Sequence, residues 1–497
     1  MKRKLILMLS LMITIGAGAQ SKKGSTLTFD ATKGEPMTLI AANGSQVKYT
    51  AYRGLYYVTN IEDSTYQYMN ICVPEGATQE TPIFMPNNVG GYMAATPSMP
   101  DVGDASGVAL SRGYVVAIAG ARGRNSMVTL KTNGNTKTVY TGRAPKGLLD
   151  LKAAVRYLRL FDKEMLGNAE KIITNGTSAG GAMSALLGAT GNNPAYEPYL
   201  KAMGAAATRD DVFASVCFCP IIDLDHADMA YEWLFSKTDN RKQLSEELQQ
   251  VSKELAEAYP AYFNSLGLRK PDGTSLTTAN LIDYIKSIII ENAQFAKDAG
   301  ATIPDTVGFT FSATKSFNAP INGGITQESR PPMMRAGSKK QGEFITDLDM
   351  EVYLNYVVST QPLKTVPAFD TKGVMGQAAS GENEEFGDDT GSSVNFTDFS
   401  AAKTGASLSP EVKEMVRLMN PLNFIGAAET KTAQHWYIRH GAIDRDTAFP
   451  VPVILATKLQ NAGKEVNFRL PWNRPHSGDY SLGELFEWIE TIVKTAE

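Results

Sequence analysis

The chain has 497 residues, a net charge of −4 from 48 basic and 52 acidic side chains, and only three cysteines and four histidines. A chain of this length accommodates one large enzyme domain, or a core domain with a sizeable insertion, and a core of that size needs no disulfide staples. The slightly acidic balance, with no basic run beyond the first few residues, argues against nucleic acid or an anionic membrane as the main partner.

The first nineteen residues carry a processing signal rather than a structural element. Lys2, Arg3 and Lys4 form a positive head, residues 5–15 an apolar stretch, and Ala17-Gly18-Ala19 a small-residue cleavage site before Gln20. That stretch is too short to span a bilayer comfortably. The expectation is an exported protein, periplasmic or extracellular, cleaved near Ala19. Cys72, Cys217 and Cys219 read as buried hydrophobes, and Cys217 and Cys219 stand too close along one expected strand to bridge without distortion.

From 20 to 225, short apolar runs alternate with helix-like stretches. Strands are expected at 67–73, 81–85, 114–119, 171–174 and 215–221, and an amphipathic helix at 150–161. From 226 to 405 the alternation stops. Leu244, Leu248, Val251, Leu255 and Ala258 keep a helical period, as do Leu281, Ile285, Ile288 and Ile289. Residues 304–342 read as loose chain, and 382–389 as a polar acidic loop. From 406 to 497 the pattern returns, with strands at 436–439 and 466–470 and helices at 449–462 and 481–495. This predicts an α/β fold, a mostly parallel sheet flanked by helices, split by a large inserted lid domain over 226–405.

Residues 176–180 read Gly-Thr-Ser-Ala-Gly between an expected strand and an expected helix. In that context G-x-S-x-G marks a nucleophile elbow, a strained turn that exposes the serine Oγ, here Ser178. Its glycines are required where a side chain would strike the adjoining strand or helix. A serine needs a base, and histidine is the usual one near neutral pH. His226, His435 and His440 lie at the ends of expected strands. His476 lies in a turn between the last strand and the last helix, where the base belongs when the chain order is serine, acid, histidine.

The acid then lies after the strand at 436–439, in His440-Gly441-Ala442-Ile443-Asp444-Arg445-Asp446. Spacing alone leaves Asp444 and Asp446 open. The H-G-x-x-D stretch resembles a turn common in serine esterases and peptidases whose aspartate is the triad acid, which favours Asp444. Oxyanion donors are expected at the backbone N–H of Ala179 and at Gly90 or Gly91, in the strand-ending turn 84–92. No metal and no cofactor are expected: the histidines lack ligand spacing, the cysteines lack a zinc pattern, and Asp388-Asp389 reads as an exposed loop rather than a calcium site.

Several stretches together resemble the bacterial tannases, gallate esterases of the α/β-hydrolase superfamily, and their feruloyl-esterase-like relatives. They are PNNVGGYM (86–93), DLKAAVRYLR (150–159), NGTSAGGAMSALLGATGNN (175–193), PIIDLDHADMAYEW (220–233), HWYIRHGAIDRDTAF (435–449) and RPHSGDY (474–480). The resemblance implies an α/β-hydrolase fold and hydrolysis of galloyl esters through an acyl-enzyme, with Ser178, Asp444 and His476 as triad. It further implies that Asp446, Lys364 and Glu382 contact the galloyl ring, and that the partner is a small aromatic ester. A feruloyl or acetyl esterase, or a serine exopeptidase, shares the same triad pattern, and a non-catalytic adhesion protein would be expected to have lost it.

Overall fold

The computed structural model describes residues 26–132, 135–313 and 343–495. The leader expected at 1–19, and most of the 304–342 stretch expected to be loose, lie outside the described residues.

In chain order the strands are β1 (Glu35–Ile40), β2 (Gln46–Tyr56), β3 (Tyr68–Pro74), β4 (Pro82–Pro86), β5 (Val115–Ala119), β6 (Met127–Thr132), β7 (Asn135–Tyr140), β8 (Asn168–Thr177), β9 (Ala214–Phe218), β10 (Phe309–Ser312), β11 (Phe344–Leu348), β12 (His435–Arg439) and β13 (Glu465–Arg469). Nine of them form one sheet, ordered β1-β2-β3-β5-β4-β8-β9-β12-β13, while β6–β7 and β10–β11 are separate two-stranded ribbons. From β5 to β13 every neighbouring pair is parallel. β1, β2 and β3 add an antiparallel edge.

The parallel strands are apolar on both faces, because helices cover both. Along β5, Val115, Ala117 and Ala119 enter one core and Val116 and Ile118 the other, the period-two alternation of a pleated strand. The helices Lys146–Leu160 and Ala179–Ala189 fill the first core. Ala105–Ser111 and the terminal helix Leu482–Thr495 fill the second, where Phe486 packs on Phe84 with ring centroids 5.4 Å apart.

Residues 226–405 interpose the rest of Leu224–Phe235, then helices Glu246–Ser265, Thr278–Asp298, Met350–Thr360 and Gly381–Glu385, and the β10–β11 ribbon. Leu281, Ile285, Ile288 and Ile289 are buried, as their spacing predicts, and Thr277 with Asn280 closes the start of their helix in a capping box. These residues join the same buried cluster that lines one face of the sheet. The inserted segment is therefore welded to the sheet by shared apolar packing.

Two expectations need correction, and two edge strands went unexpected. β1 and β2 were not legible as strands, because their side chains alternate between exposed and half-buried and carry little apolar signal. The strand expected at 215–221 is shorter: β9 stops at Phe218 and the next helix starts at Leu224, so His226 sits on a helix and not at a strand end. Residues 382–389 are not simply a solvated loop, since Gly381–Glu385 is helical, with Asn383 and Glu385 buried.

Candidate active site

β8, β9, β12 and β13 lie side by side and run the same way, so the segments leaving their C-terminal ends gather at one sheet edge. The segment after β8 opens with Ser178, the N-cap of Ala179–Ala189, at φ 63° and ψ −123°. This backbone is strained for a residue with a side chain, and it is held by the surroundings. Ser178 N–H donates to Phe218 O at 2.9 Å. A Cβ at Gly176 would lie 2.2 Å from Gly180 O, and one at Gly180 2.6 Å from Val89 O. The two glycines of the motif are thus required by close backbone approach.

His476, after β13, brings Nε2 to 2.8 Å from Ser178 Oγ and Nδ1 to 2.8 Å from Asp444 Oδ2. A carboxylate only accepts, so Nδ1 carries the proton and Nε2 is left free to accept from the serine hydroxyl. Asp444 is fully buried, and its other oxygen, Oδ1, accepts the Asp446 N–H at 2.8 Å. Burial works against its charge, but His440 and the His476 hydrogen bond hold the carboxyl down to about 2. Burial also lowers the His476 pKa, yet Asp444, with Asp446 in support, outweighs it and leaves the imidazole above its ordinary value.

Of the two aspartates that spacing left open, Asp444 makes the short bond to His476. Asp446 Oδ2 stands 3.8 Å from the same Nδ1, while its Oδ1 pairs with Arg445 at 2.5 Å. Lys364 places Nζ 4.1 Å over the Phe369 ring and reaches His476 through its charge, which opposes the rise in that pKa. Its backbone N–H donates to Tyr231 Oη, which in turn donates to Arg445 O. Glu382 lies in the first turn of Gly381–Glu385, and its charge bears on Glu385 and Tyr92.

A cleft of about 360 Å³ opens beside Ser178, lined in part by Asn87, Val89, Gly90 and Gly176. Met93 N–H donates to Gly90 O, so 90–93 is a tight turn, and both central residues, Gly91 and Tyr92, have positive φ. Asn87 Nδ2 donates to Asn175 O and Gly180 O, pinning this loop to the elbow. Ala179 N–H opens the helix, among the first four N–H groups that lack an intrahelical acceptor.

Sequence reasoning missed the neighbours of the acid. His440 is fully buried with both ring nitrogens unpartnered among the described residues, and its Nδ1 lies 3.5 Å from Asp444 Oδ2. Burial pushes its pKa below the ordinary imidazole value, against the pull of the Asp444 carboxylate. Cys219, at φ 45°, donates from Sγ to Ser477 O at 3.3 Å, and all three cysteines are free and buried. Among the described residues, three groups have metal-ligand composition. Two of them are built on Asp444. In the third, Asp223–Asp225–His226, the histidine supplies the positive charge itself: burial is outweighed by the two carboxylates, which lift it to about 10, and its ring stacks on Tyr262.

The tannase of Fusobacterium nucleatum superposes with a TM-score of 0.79 at 36% identity, over 94% of this chain and 99% of that one. The native tannin acyl hydrolase of Lactobacillus plantarum gives 0.80 at 36% identity over the same shares. The chain belongs to the tannase family. A tannin acyl hydrolase in complex with ethyl gallate is likewise similar, with a TM-score of 0.79 and 36% identity over 94% and 99% of the two chains. The BD-FAE family model matches residues 125–265, which include the elbow. No curated protein matches the chain. As a tannase-family member it is a carboxylic ester hydrolase with an α/β-hydrolase fold.

Proposed function

We propose that this chain is an exported serine esterase that hydrolyses galloyl esters of plant polyphenols through an acyl-enzyme. The observation that carries the reading is the unbroken hydrogen-bond chain from Ser178 Oγ through His476 to Asp444, 2.8 Å at each link. Ser178 attacks the ester carbonyl while His476 Nε2 takes its proton, and Asp444 stabilises the resulting imidazolium. The oxyanion is received by the N–H of Ala179 and by Gly90 or Gly91. The imidazolium then protonates the departing alcohol, and water, activated by the same nitrogen, releases the acid.

Acyl specificity is assigned to Asp446, Lys364 and Glu382, on the strength of the family likeness. One tannin acyl hydrolase compared above is in complex with ethyl gallate. Phenolic hydroxyls donate well to carboxylates, and a site built to bond them rejects acyl groups that lack them, because its own polar groups are then left unpaired. In this reading residues 226–405 act as the lid that presents Lys364 and Glu382, and residues 1–19 direct export.

The test is initial rates on methyl gallate, methyl ferulate, methyl benzoate and a prolyl dipeptide amide, with wild type and Ser178→Ala. Gallate should be fastest and should lose its turnover in the alanine variant. Equal rates on benzoate and gallate would end the galloyl reading, and faster amide cleavage would turn the site into a peptidase.

A further inference from the structure

We propose that Arg124 is a positioning residue that fastens the oxyanion turn to the helix carrying Glu382, so that one guanidinium sets both. The inference rests on the proposed roles of Ser178 and of Gly90 or Gly91.

The turn needs a tether. A Cβ at Gly90 or Gly91 would meet nothing within 4 Å, so nothing packs against that side of either residue, and Gly91 sits at φ 54°. What holds the Gly91 carbonyl is Arg124, whose Nε–H donates to it at 2.8 Å, while Arg124 N–H donates to Tyr92 O at 2.8 Å. Fixing the Gly91–Tyr92 peptide fixes the backbone angles of Gly91, and with them the direction of the N–H groups ahead of it.

The other edge of the same guanidinium pairs with the Glu384 carboxylate. It lies against Gly381, where a Cβ would stand 3.1 Å from Cζ. Glu384 and Gly381 belong to the helix Gly381–Glu385, which bears Glu382. The segment that carries Arg124 is itself anchored. Two residues earlier, Arg122 is fully buried and grips Asp150 in a bidentate pair, with Nε and Nη2 each donating at 2.9 Å. One residue later, Asn125 Oδ1 accepts the Ala94 N–H at 2.7 Å. Arg124 thus stands on a rigid base between two parts of the site that are otherwise distant in sequence.

The bond to Gly91 and the pair with Glu384 predict separable effects. Removing Arg124 misdirects an oxyanion donor whatever the acyl group, whereas releasing the helix disturbs only recognition of the ring hydroxyls. In Arg124→Ala, kcat should fall about 100-fold on methyl gallate and methyl benzoate alike, and KM should rise about fivefold for gallate alone. Glu384→Gln should keep kcat within about twofold on both esters and raise only the gallate KM, since the Gly91 bond survives. Arg124→Lys, a point charge without the planar fork, should recover less than about a tenth of kcat. Guanidinium ion added to Arg124→Ala should raise its kcat, which a general loss of structure would not allow.

Unchanged kcat in a folded Arg124→Ala, or an equal kcat loss in Glu384→Gln, overturns the proposal. Should Arg124→Ala fail to fold, the lysine and glutamine variants decide by the same split of kcat from KM. A wild type that treats both esters alike removes the galloyl reading, while the kcat arm still tests the tether on benzoate.

Discussion

Asp444→Asn is the sharpest perturbation of the proposed chemistry, because the local geometry dictates which way the new amide must face. Asp444 Oδ1 accepts the Asp446 N–H at 2.8 Å, so the amide oxygen must take that position. The NH₂ then faces His476 Nδ1, which Oδ2 now meets at 2.8 Å. Two donors cannot face each other, so Nδ1 must give up its proton and Nε2 must carry one. In that tautomer Nε2 no longer accepts from the Ser178 hydroxyl. The same amide substitution in serine proteases lowers kcat about 10⁴-fold for this reason, equivalent to roughly 5.5 kcal/mol of barrier. Losing the charge also removes the larger part of what lifts the His476 pKa, so the acid limb of the rate profile should move to lower pH. The assay is gallate release from methyl gallate between about pH 5 and 10, with the melting temperature as a control for folding. A loss below about tenfold in a folded protein, or an acid limb that stays in place, refutes the assignment of Asp444.

Ser178→Ala should lose about 10⁴-fold or more in kcat with an unchanged melting temperature, read by single-turnover kinetics. Asp446→Asn should raise KM for methyl gallate about tenfold and leave methyl benzoate nearly unaffected, the reverse of the Asp444 pattern. In the wild type, His476 acts as base only when neutral, and its raised pKa places the acid limb of kcat/KM above the ordinary value of 6.5, with activity lost below it. Glu385 provides a stability test: burial, opposed by Arg143 and Arg124, lifts its carboxyl from 4.5 to about 8. Across that window the native state holds a proton that the unfolded state has released, so stability falls as pH rises. Glu385→Gln removes this titration, and its melting temperature should decline less between about pH 5 and 8 than that of the wild type. Parallel declines would mean that Glu385 is already ionised in the native protein.

What the sequence made legible follows from how local each signal is. The elbow could be read because its constraint is local: Gly176 and Gly180 meet backbone within a few residues of Ser178 or on the adjoining loop. His476 could be found by elimination among four histidines, and the acid was narrowed to two residues by the turn after β12. Choosing between them needed coordinates, since Asp444 and Asp446 both come within 4 Å of the same ring nitrogen. Lys364 and Glu382 had no signal of their own and entered through family likeness. Arg124 had none at all, because its partners lie 33 and 260 positions away and nothing in a short window marks such pairs. Buried acids such as Glu385 were misread as loop charge, since a short polar run looks solvated until packing is known.

Why a hydroxyl and an imidazole separated by 298 positions meet at 2.8 Å is a consequence of strand order. Parallel strands all end at one edge, so every loop that leaves that edge can reach every other without crossing the sheet. β8, β9, β12 and β13 are neighbours, so the serine and the acid leave strands that are two positions apart, and the histidine comes from the adjoining edge strand. The inserted residues 226–405 leave after β9 and return before β12, between two strands that pair directly. An insertion at that place can lengthen without moving the triad, because β9 and β12 remain hydrogen-bonded whatever lies between them. The same placement sets the inserted segment over the C-terminal edge, where Lys364 comes near enough to His476 for its charge to be felt. On the proposed assignment of Lys364 and Glu382, acyl recognition is then free to vary with the insertion while the geometry of Ser178, His476 and Asp444 is held by the sheet.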